Sequence, residues 1–332
     1  MWGSSGSDVF VVGEEGAILR RENNSWTAMN SGEKKQLNGV WRSNADDVFA
    51  VGESATIFHY RDGSWSTSSS GWGTISGVWG SSTDDVFAVG AGGSIRRYDG
   101  SSWTSMTSGT YANLADVWGS SGSDVFAVGS NGTIRHYNGN SWSNMISNTT
   151  EHLRSLWGWR SSFPYEETLA IAVGSSGTLL FYDGAEWKLW SLEISVELNG
   201  VWGVSENDMF AVGSTSGPGG NGVVGVILHY LEDDDLSLYW EPMPLPSGTA
   251  ELIDIWGSSA DDVFAVGKSG TILHYDGSSW STMISGTTED LYSVSGSEDR
   301  DVVVVGDGGT ILRHDLASND FPWELFLPKK RD

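Results

Sequence analysis

The chain has 332 residues, 43 of them acidic and 18 basic, for a formal charge of −25 at pH 7. This balance offers no basic footprint for nucleic acid and disfavours anionic membrane surfaces; Lys329-Lys330-Arg331 is only a short solvated run. The absence of cysteine excludes disulfides, thiolate metal sites and thiol nucleophiles, and no apolar run reaches the roughly 18 residues of a membrane span.

A unit built around Trp-Gly-Ser-Ser-x-x-Asp-Val-Phe-Ala-Val-Gly recurs along the chain. Copies begin at Trp2, Trp41, Trp79, Trp118, Trp157, Trp202 and Trp256, with an eighth at Ser295 where the Trp is replaced. The spacings are 39, 38, 39, 39, 45, 54 and 39 residues, a period that points to propeller blades. In the first copy only Met1-Trp2 remains of the opening strand. Met1 leads straight into a repeat, so the chain reads as a mature domain or a fragment with any targeting segment left off.

The seventh copy spells out the unit most clearly. Leu252–Trp256 reads as strand a, and Gly257–Asp262 as a turn rich in Ser and Asp. Val263–Gly267 is an unbroken apolar strand b, buried on both faces. Lys268–Gly270 turns into strand c, Thr271–Tyr275, and Asp276-Gly277 marks a hairpin into strand d, Ser279–Met283. The glycine closing strand b recurs at Gly13, Gly52, Gly90, Gly129, Gly174, Gly213, Gly267 and Gly306. The strand-d Trp recurs at Trp26, Trp65, Trp103, Trp142, Trp187, Trp240, Trp280 and Trp323. The predicted fold is all-β, an eight-bladed β-propeller of four-stranded antiparallel blades, with a seven-bladed ring and an irregular terminal repeat as the alternative. The predicted domain spans 1–332, with blades at about 1–36, 37–75, 76–113, 114–152, 153–197, 198–251, 252–290 and 291–332. The repeated Trp residues are expected to fill the spaces between blades.

Three insertions account for the long spacings. The fifth copy gains about six residues in its a–b turn, around Ser161 to Glu167. The sixth gains about nine between b and c, around Ser214 to Asn221, and about five between c and d, around Glu232 to Leu236. Alternating hairpins put the a–b and c–d insertions on one rim and the Gly-Pro-Gly-Gly loop on the other. Binding residues concentrate on loops carried by a rigid scaffold. The candidate partner-binding residues are therefore Trp159, Arg160, Tyr165, Glu166 and Glu167 on one loop and Asp233, Asp234 and Asp235 on the other. Trp72, Trp159 and Trp190 also fall outside the two repeated Trp positions.

Recurrent polar residues read as structural. His59, His136, His229, His274 and His314 share one strand-c position with Arg20, Arg97 and Phe181, in separate blades that cannot converge on a metal. His152 stands outside that register, on an exposed d–a connection. The a–b turn residues Asp8, Asp47, Asp85, Asp124, Asp208, Asp262 and Asp301 read as turn caps, since no calcium-loop spacing accompanies them. No P-loop, nucleophile elbow or zinc-protease motif is present. No catalytic, cofactor or metal residue is assigned.

The c–d elements Tyr275-Asp276-Gly277-Ser278-Ser279-Trp280, Tyr98 to Trp103 and Tyr137 to Trp142 carry a resemblance. They look like relaxed Asp-boxes, and the whole chain resembles secreted bacterial Trp-Gly/Asp-Val-Phe-Ala-Val-Gly repeat propellers within the Asp-box (BNR) and Ycf48-like superfamily. In that superfamily the Asp-box is a structural hairpin, so the resemblance implies architecture and no activity. Its sialidases need an arginine cluster, whereas here Arg20, Arg97, Arg135 and Arg313 lie in or beside the repeated strand-c position. The Ycf48 group is usually seven-bladed with a basic patch, which this acidic chain lacks.

These observations predict a non-enzymatic binding or scaffold propeller, extracellular or on the cell surface. It would engage a protein or glycan through rim loops or a central funnel, with no nucleic acid and no membrane insertion. A lectin and an Asp-box-type glycosidase or lyase are the alternatives.

Overall fold

The computed structural model describes residues 73–161 continuously and 167–296 apart from 191, 193, 218–221 and 233–237. Outside these spans it describes strands and some turns, with side chains chiefly between 47 and 61. The chain forms two compact units, Lys35–Val201 and Met1–Lys34 with Trp202–Asp332. Among the described residues each strand pairs antiparallel with its sequence neighbours, giving eight four-stranded sheets in the order a-b-c-d. None of these sheets mixes strands from the two ends of the chain.

Strand b is buried because both of its faces are covered. In sheet 4 it runs Asp124–Gly129, and Val125, Phe126, Ala127 and Val128 have no exposed surface. Val125 and Ala127 join Phe87, Val89 and Ile95 of sheet 3, while Phe126 and Val128 join Leu156, Ala172 and Leu180 of sheet 5. Each buried Val or Phe contributes about 1.5–3 kcal/mol, so the packing between sheets carries the fold. The aromatic contacts repeat with it. Phe126 meets Tyr182 at 4.9 Å and Trp187 at 5.7 Å, and Phe87 meets Tyr137 and Trp142 at 5.6 and 6.0 Å. In the other unit Phe210 meets Tyr275 and Trp280 in the same way. Trp103, Trp142, Trp187 and Trp280 of strand d thus fill spaces between sheets.

The Trp-Gly pair has its own explanation. A Cβ on Gly80 would lie 2.6–2.8 Å from three atoms of the Trp41 indole, and Gly119, Gly158 and Gly257 stand in the same relation to Trp79, Trp118 and Trp202. Each Trp lies over the glycine of the following sheet. The glycine ending strand b is equally constrained, since a Cβ on Gly129 would sit 2.1 Å from the Asn113 carbonyl oxygen.

Strand a is longer than its predicted span. It runs Leu252–Ser259 in sheet 7, continuing through the Gly-Ser-Ser assigned above to the turn. A bulge between Gly257 and Ser259 lets the pairing continue to Ser259 opposite Asp262. The same feature gives sheet 1 a first strand, Trp2–Ser5, where only a remnant was expected.

The c–d hairpins match their prediction. The Asp276 carboxylate accepts the Ser278 hydroxyl and the backbone N–H groups of Ser278 and Ser279, which together hold its pKa at about 2. Two insertions lengthen ladders and do not simply form loops. In sheet 5, Trp159 and Arg160 pair with Leu169 and Thr168, and in sheet 6 the b–c hairpin extends to Ser216 opposite Val223. Residues 218–221 of the b–c tip and 233–236 of the c–d insertion lie outside the described residues. In sheet 8, His314 pairs with Val302, the place tyrosine holds elsewhere, and Arg313 takes the histidine register opposite Val303. The Ile-Leu-Arg-His run is thus offset by one residue from the assignment above.

Candidate functional site

Two repeated positions treated separately in the sequence meet in the structure. The aspartate that opens strand b accepts a hydrogen bond from the His or Arg of strand c, twelve residues later in the uninterrupted repeats. His59 reaches Asp47 at 3.1 Å, His136 reaches Asp124 at 2.6 Å and His274 reaches Asp262 at 2.8 Å. His229 reaches Asp208 at 2.7 Å across the longer hairpin, and Arg97 reaches Asp85 at 2.6 Å. A serine of the a–b segment completes the arrangement: Ser81 on Asp85, Ser120 on Asp124 and Ser258 on Asp262, at 2.5–2.7 Å. The imidazoles stack on the strand-b Phe, as His59 does on Phe49 at 3.9 Å and His229 on Phe210 at 4.1 Å. Arg97 lies over Phe87 and continues to the Tyr137 hydroxyl of the next sheet.

These aspartates are therefore acceptors that tie three strands together, and not only turn caps. Burial pushes the Asp124 carboxyl up, but hydrogen bonds from His136, Thr168 and Ser120 outweigh it and leave the pKa at about 2. Thr168 belongs to sheet 5, so the cluster also joins neighbouring sheets. The serine binds the aspartate and not the imidazole, so the geometry is not that of an activated nucleophile. Among the described residues no three His, Asp or Glu side chains gather as a metal site.

Sheet 5 breaks the pattern at all three positions. By register, Trp159 stands where Ser120 is, Leu169 where Asp124 is, and Phe181 where His136 is. The Trp159 ring stacks on Trp157 at 5.0 Å and lies 6.1 Å from Phe181. Trp159, Leu169 and Phe181 are all half-buried. The hairpin carrying them is fixed at its neck, where the Ser161 N–H donates to the Glu167 carbonyl and the Glu167 N–H to the Ser161 hydroxyl, both at 2.9 Å.

Of the predicted partner-binding residues, Trp159 lies in this aromatic cluster, Arg160 is exposed at the end of the extended strand, and Glu167 is exposed at the hairpin neck. Tyr165, Glu166, Asp233, Asp234 and Asp235 lie outside the described residues, as does Trp72. Trp190 continues strand d opposite Leu179. Leu169 and Phe181 were not singled out from the sequence, although their joint loss of Asp and His at the twelve-residue spacing signals them. His152 is exposed as expected, but it has a defined role. Its Nδ1 accepts the Asn131 N–H of the preceding b–c turn at 3.3 Å, as Asn113, Glu197 and Asp290 accept from Gly92, Ser176 and Ser269.

No family model matches the chain, and no curated protein matches it in sequence. Solved structures do share its fold. A Ycf48 bound to a D1 peptide is 16% identical at a TM-score of 0.64, covering 84% of this chain and 91% of its own. Ycf48 from Cyanidioschyzon merolae is 16% identical at 0.63, covering 86% and 97%. The WD40 propeller domain of Doa1 is 14% identical at 0.59, covering 83% and 92%. The sheets are thus those of a β-propeller fold; at these identities the likeness concerns architecture alone.

Proposed function

We propose that this chain is a non-enzymatic β-propeller that binds a protein partner through the a–b rim of its fifth blade. The observation that carries the proposal is the replacement of the Ser–Asp–His cluster by Trp159, Leu169 and Phe181. Interfaces favour half-buried aromatics as anchors, and this hairpin is fixed in place by its neck and by Thr168 on Asp124. A Ycf48 propeller binding a peptide gives the reading a precedent of like architecture. Glu166, Glu167 and the Asp233–Asp235 run would add negative charge and select a basic partner surface.

The proposal extends to assembly and location. The eight sheets are taken as the blades of one ring over 1–332, supported by the eightfold recurrence of the strand-b Gly and the strand-d Trp. Its place is outside the cell or at the cell surface, which fractionation of the source organism with an antibody to the chain tests.

The binding test restores the repeat. Leu169→Asp with Phe181→His rebuilds in blade 5 the Asp–His pair that sheets 2, 4, 6 and 7 carry, so folding should persist. Affinity capture from the native source, quantified against wild type, should lose its specific partner. Trp159→Ala alone should weaken that partner about thirtyfold. Equal capture by all three proteins would refute the proposal.

A further inference from the structure

We propose that sheet 4 carries a separate binding site for a neutral oligosaccharide, in the groove between its b–c turn and its d–a connection. This groove lies at the opposite end of the strands from the a–b rim and does not depend on the protein-binding proposal. It is open to solvent, with a volume of about 640 Å3, and its lining runs over Asn131–Thr133 and Asn144–Thr150. None of the ten lining residues is charged, in a chain where 18% of residues are.

The neighbouring repeats act as internal controls. Three lining residues are asparagines: Asn131, Asn144 and Asn148. At the same repeat positions sheet 3 has Gly92, Ser105 and Gly109, and sheet 7 has Ser269, Thr282 and Gly286. Two of the three stand on left-handed backbone, with φ of 58° at Asn131 and 56° at Asn148, where Gly109 and Gly286 take 73° and 74°. Asparagine tolerates this conformation better than most residues, yet glycine is the repeat's own choice at Asn148. The substitution adds a carboxamide to the groove at a backbone cost. Both Asn131 and Asn148 are exposed, and neither amide makes a hydrogen bond among the described residues.

The third amide is oriented. Asn144 Oδ1 accepts from Arg135 Nη1 at 3.3 Å, and its Nδ2 donates to the Met145 carbonyl at 3.2 Å. Arg135 is itself buried; sheet 3 has Arg96 at this position, and sheets 5 and 7 have Leu180 and Leu273. Sheet 4 thus departs from sheets 3 and 7 in its three groove asparagines, while the arginine beneath Asn144 is shared with sheet 3.

Carboxamides and hydroxyls each donate and accept, which matches a ligand that presents several hydroxyl groups in a small volume. Thr133, Thr149 and Thr150 add hydroxyls, and Ile146, 72% exposed, offers a small apolar surface to the C–H face of a sugar ring. The uncharged lining and the acidic chain disfavour sulfated or carboxylated glycans. The lining also contains no Trp, Tyr or Arg of the kind that anchors a peptide.

The full chain should be titrated with maltopentaose, cellopentaose and chitopentaose by calorimetry. At least one should bind with a Kd near 1 mM or tighter, on the order of a simple lectin site. Asn131→Ser, Asn144→Thr and Asn148→Gly together give the groove sheet 7's residues, and should weaken binding at least about tenfold with an unchanged melting temperature. Asn148→Gly alone, which relaxes the backbone, should weaken it about threefold. The proposal is overturned if none of the three sugars binds or if the triple variant binds as well as wild type. It is also overturned if a neutral Gly-Ser-Asn peptide, supplied as the competing probe, occupies the groove and displaces the sugar.

Discussion

Replacing Gly80 by alanine adds one methyl group against a single neighbouring ring. All three of the nearest atoms belong to the Trp41 indole, at 2.6, 2.8 and 2.8 Å. Ordinary carbon contacts lie near 3.5–4.0 Å, so the ring and the strand must separate by roughly 0.7 Å or more. Overpacking of this kind costs about 1–3 kcal/mol, and the smaller entropy of an alanine-containing unfolded chain returns about 0.4–1 kcal/mol. The expected net loss is about 1–2 kcal/mol, measured by urea denaturation with far-UV circular dichroism. Trp41→Leu removes the obstructing ring at its own cost, and in that background Gly80→Ala should cost less than about 0.5 kcal/mol. The coupling between the two changes should then exceed about 0.5 kcal/mol, the level at which contacting residues are distinguished from independent ones. If Gly80→Ala is neutral, or costs the same with and without Trp41, the explanation given for the Trp-Gly pair is wrong.

Acid lability follows from Asp124. Its folded pKa of about 2 lies below the ordinary 3.8, so its stabilisation is fully present above pH 4 and is lost as pH falls towards 2. The amount is about 2 kcal/mol, and Asp124→Asn should flatten the decline in that window when melting is followed from pH 5 to pH 2. Gly129→Ala places a Cβ 2.1 Å from a carbonyl oxygen and should cost more than about 3 kcal/mol, whereas Gly92→Asn, at φ +63° with open space around it, should cost about 1 kcal/mol or less. Deleting 290–332 removes Leu291, Val294, Val302 and Val304 from Phe264, Val266, Ile272 and Met283. The shortened chain should aggregate on size-exclusion chromatography; a monomeric, cooperatively folded product would contradict the dependence of each sheet on the next.

Much of the fold was legible because each repeat states its own local structure. The apolar run of strand b, the Asp-Gly hairpin and the strand-d Trp each act within one sheet or through a contact repeated along the chain. What was hidden lies between sheets or across hairpins. Nothing local distinguishes Gly80, after Trp79, from a turn glycine, since its constraint is set by the Trp41 ring 39 residues away. Asp124 and His136 read as separate structural parts because neither alone reveals the other as its partner. Repeat length drew attention to sheets 5 and 6, and that led to Trp159. It could not reveal Leu169 and Phe181, which are substitutions without a change in length, nor the three asparagines of sheet 4, which sits at the regular 39-residue spacing.

The Trp-Gly contact has a direction. Sheets 3 and 4 each present an indole on one side and a glycine notch on the other, so they meet their neighbours through unlike surfaces. Contacts of this kind are heterologous: no pair can satisfy both members, and the association continues until the array closes or meets a protected end. A chain broken between sheets 3 and 4 would expose the Gly119 notch and the Trp79 indole, each complementary to the other. Sheets built wholly from consecutive strands would make such exchange simple, because no strand must be withdrawn from a neighbour first. The same contact that sets the order of sheets within a molecule could therefore also join one molecule to another.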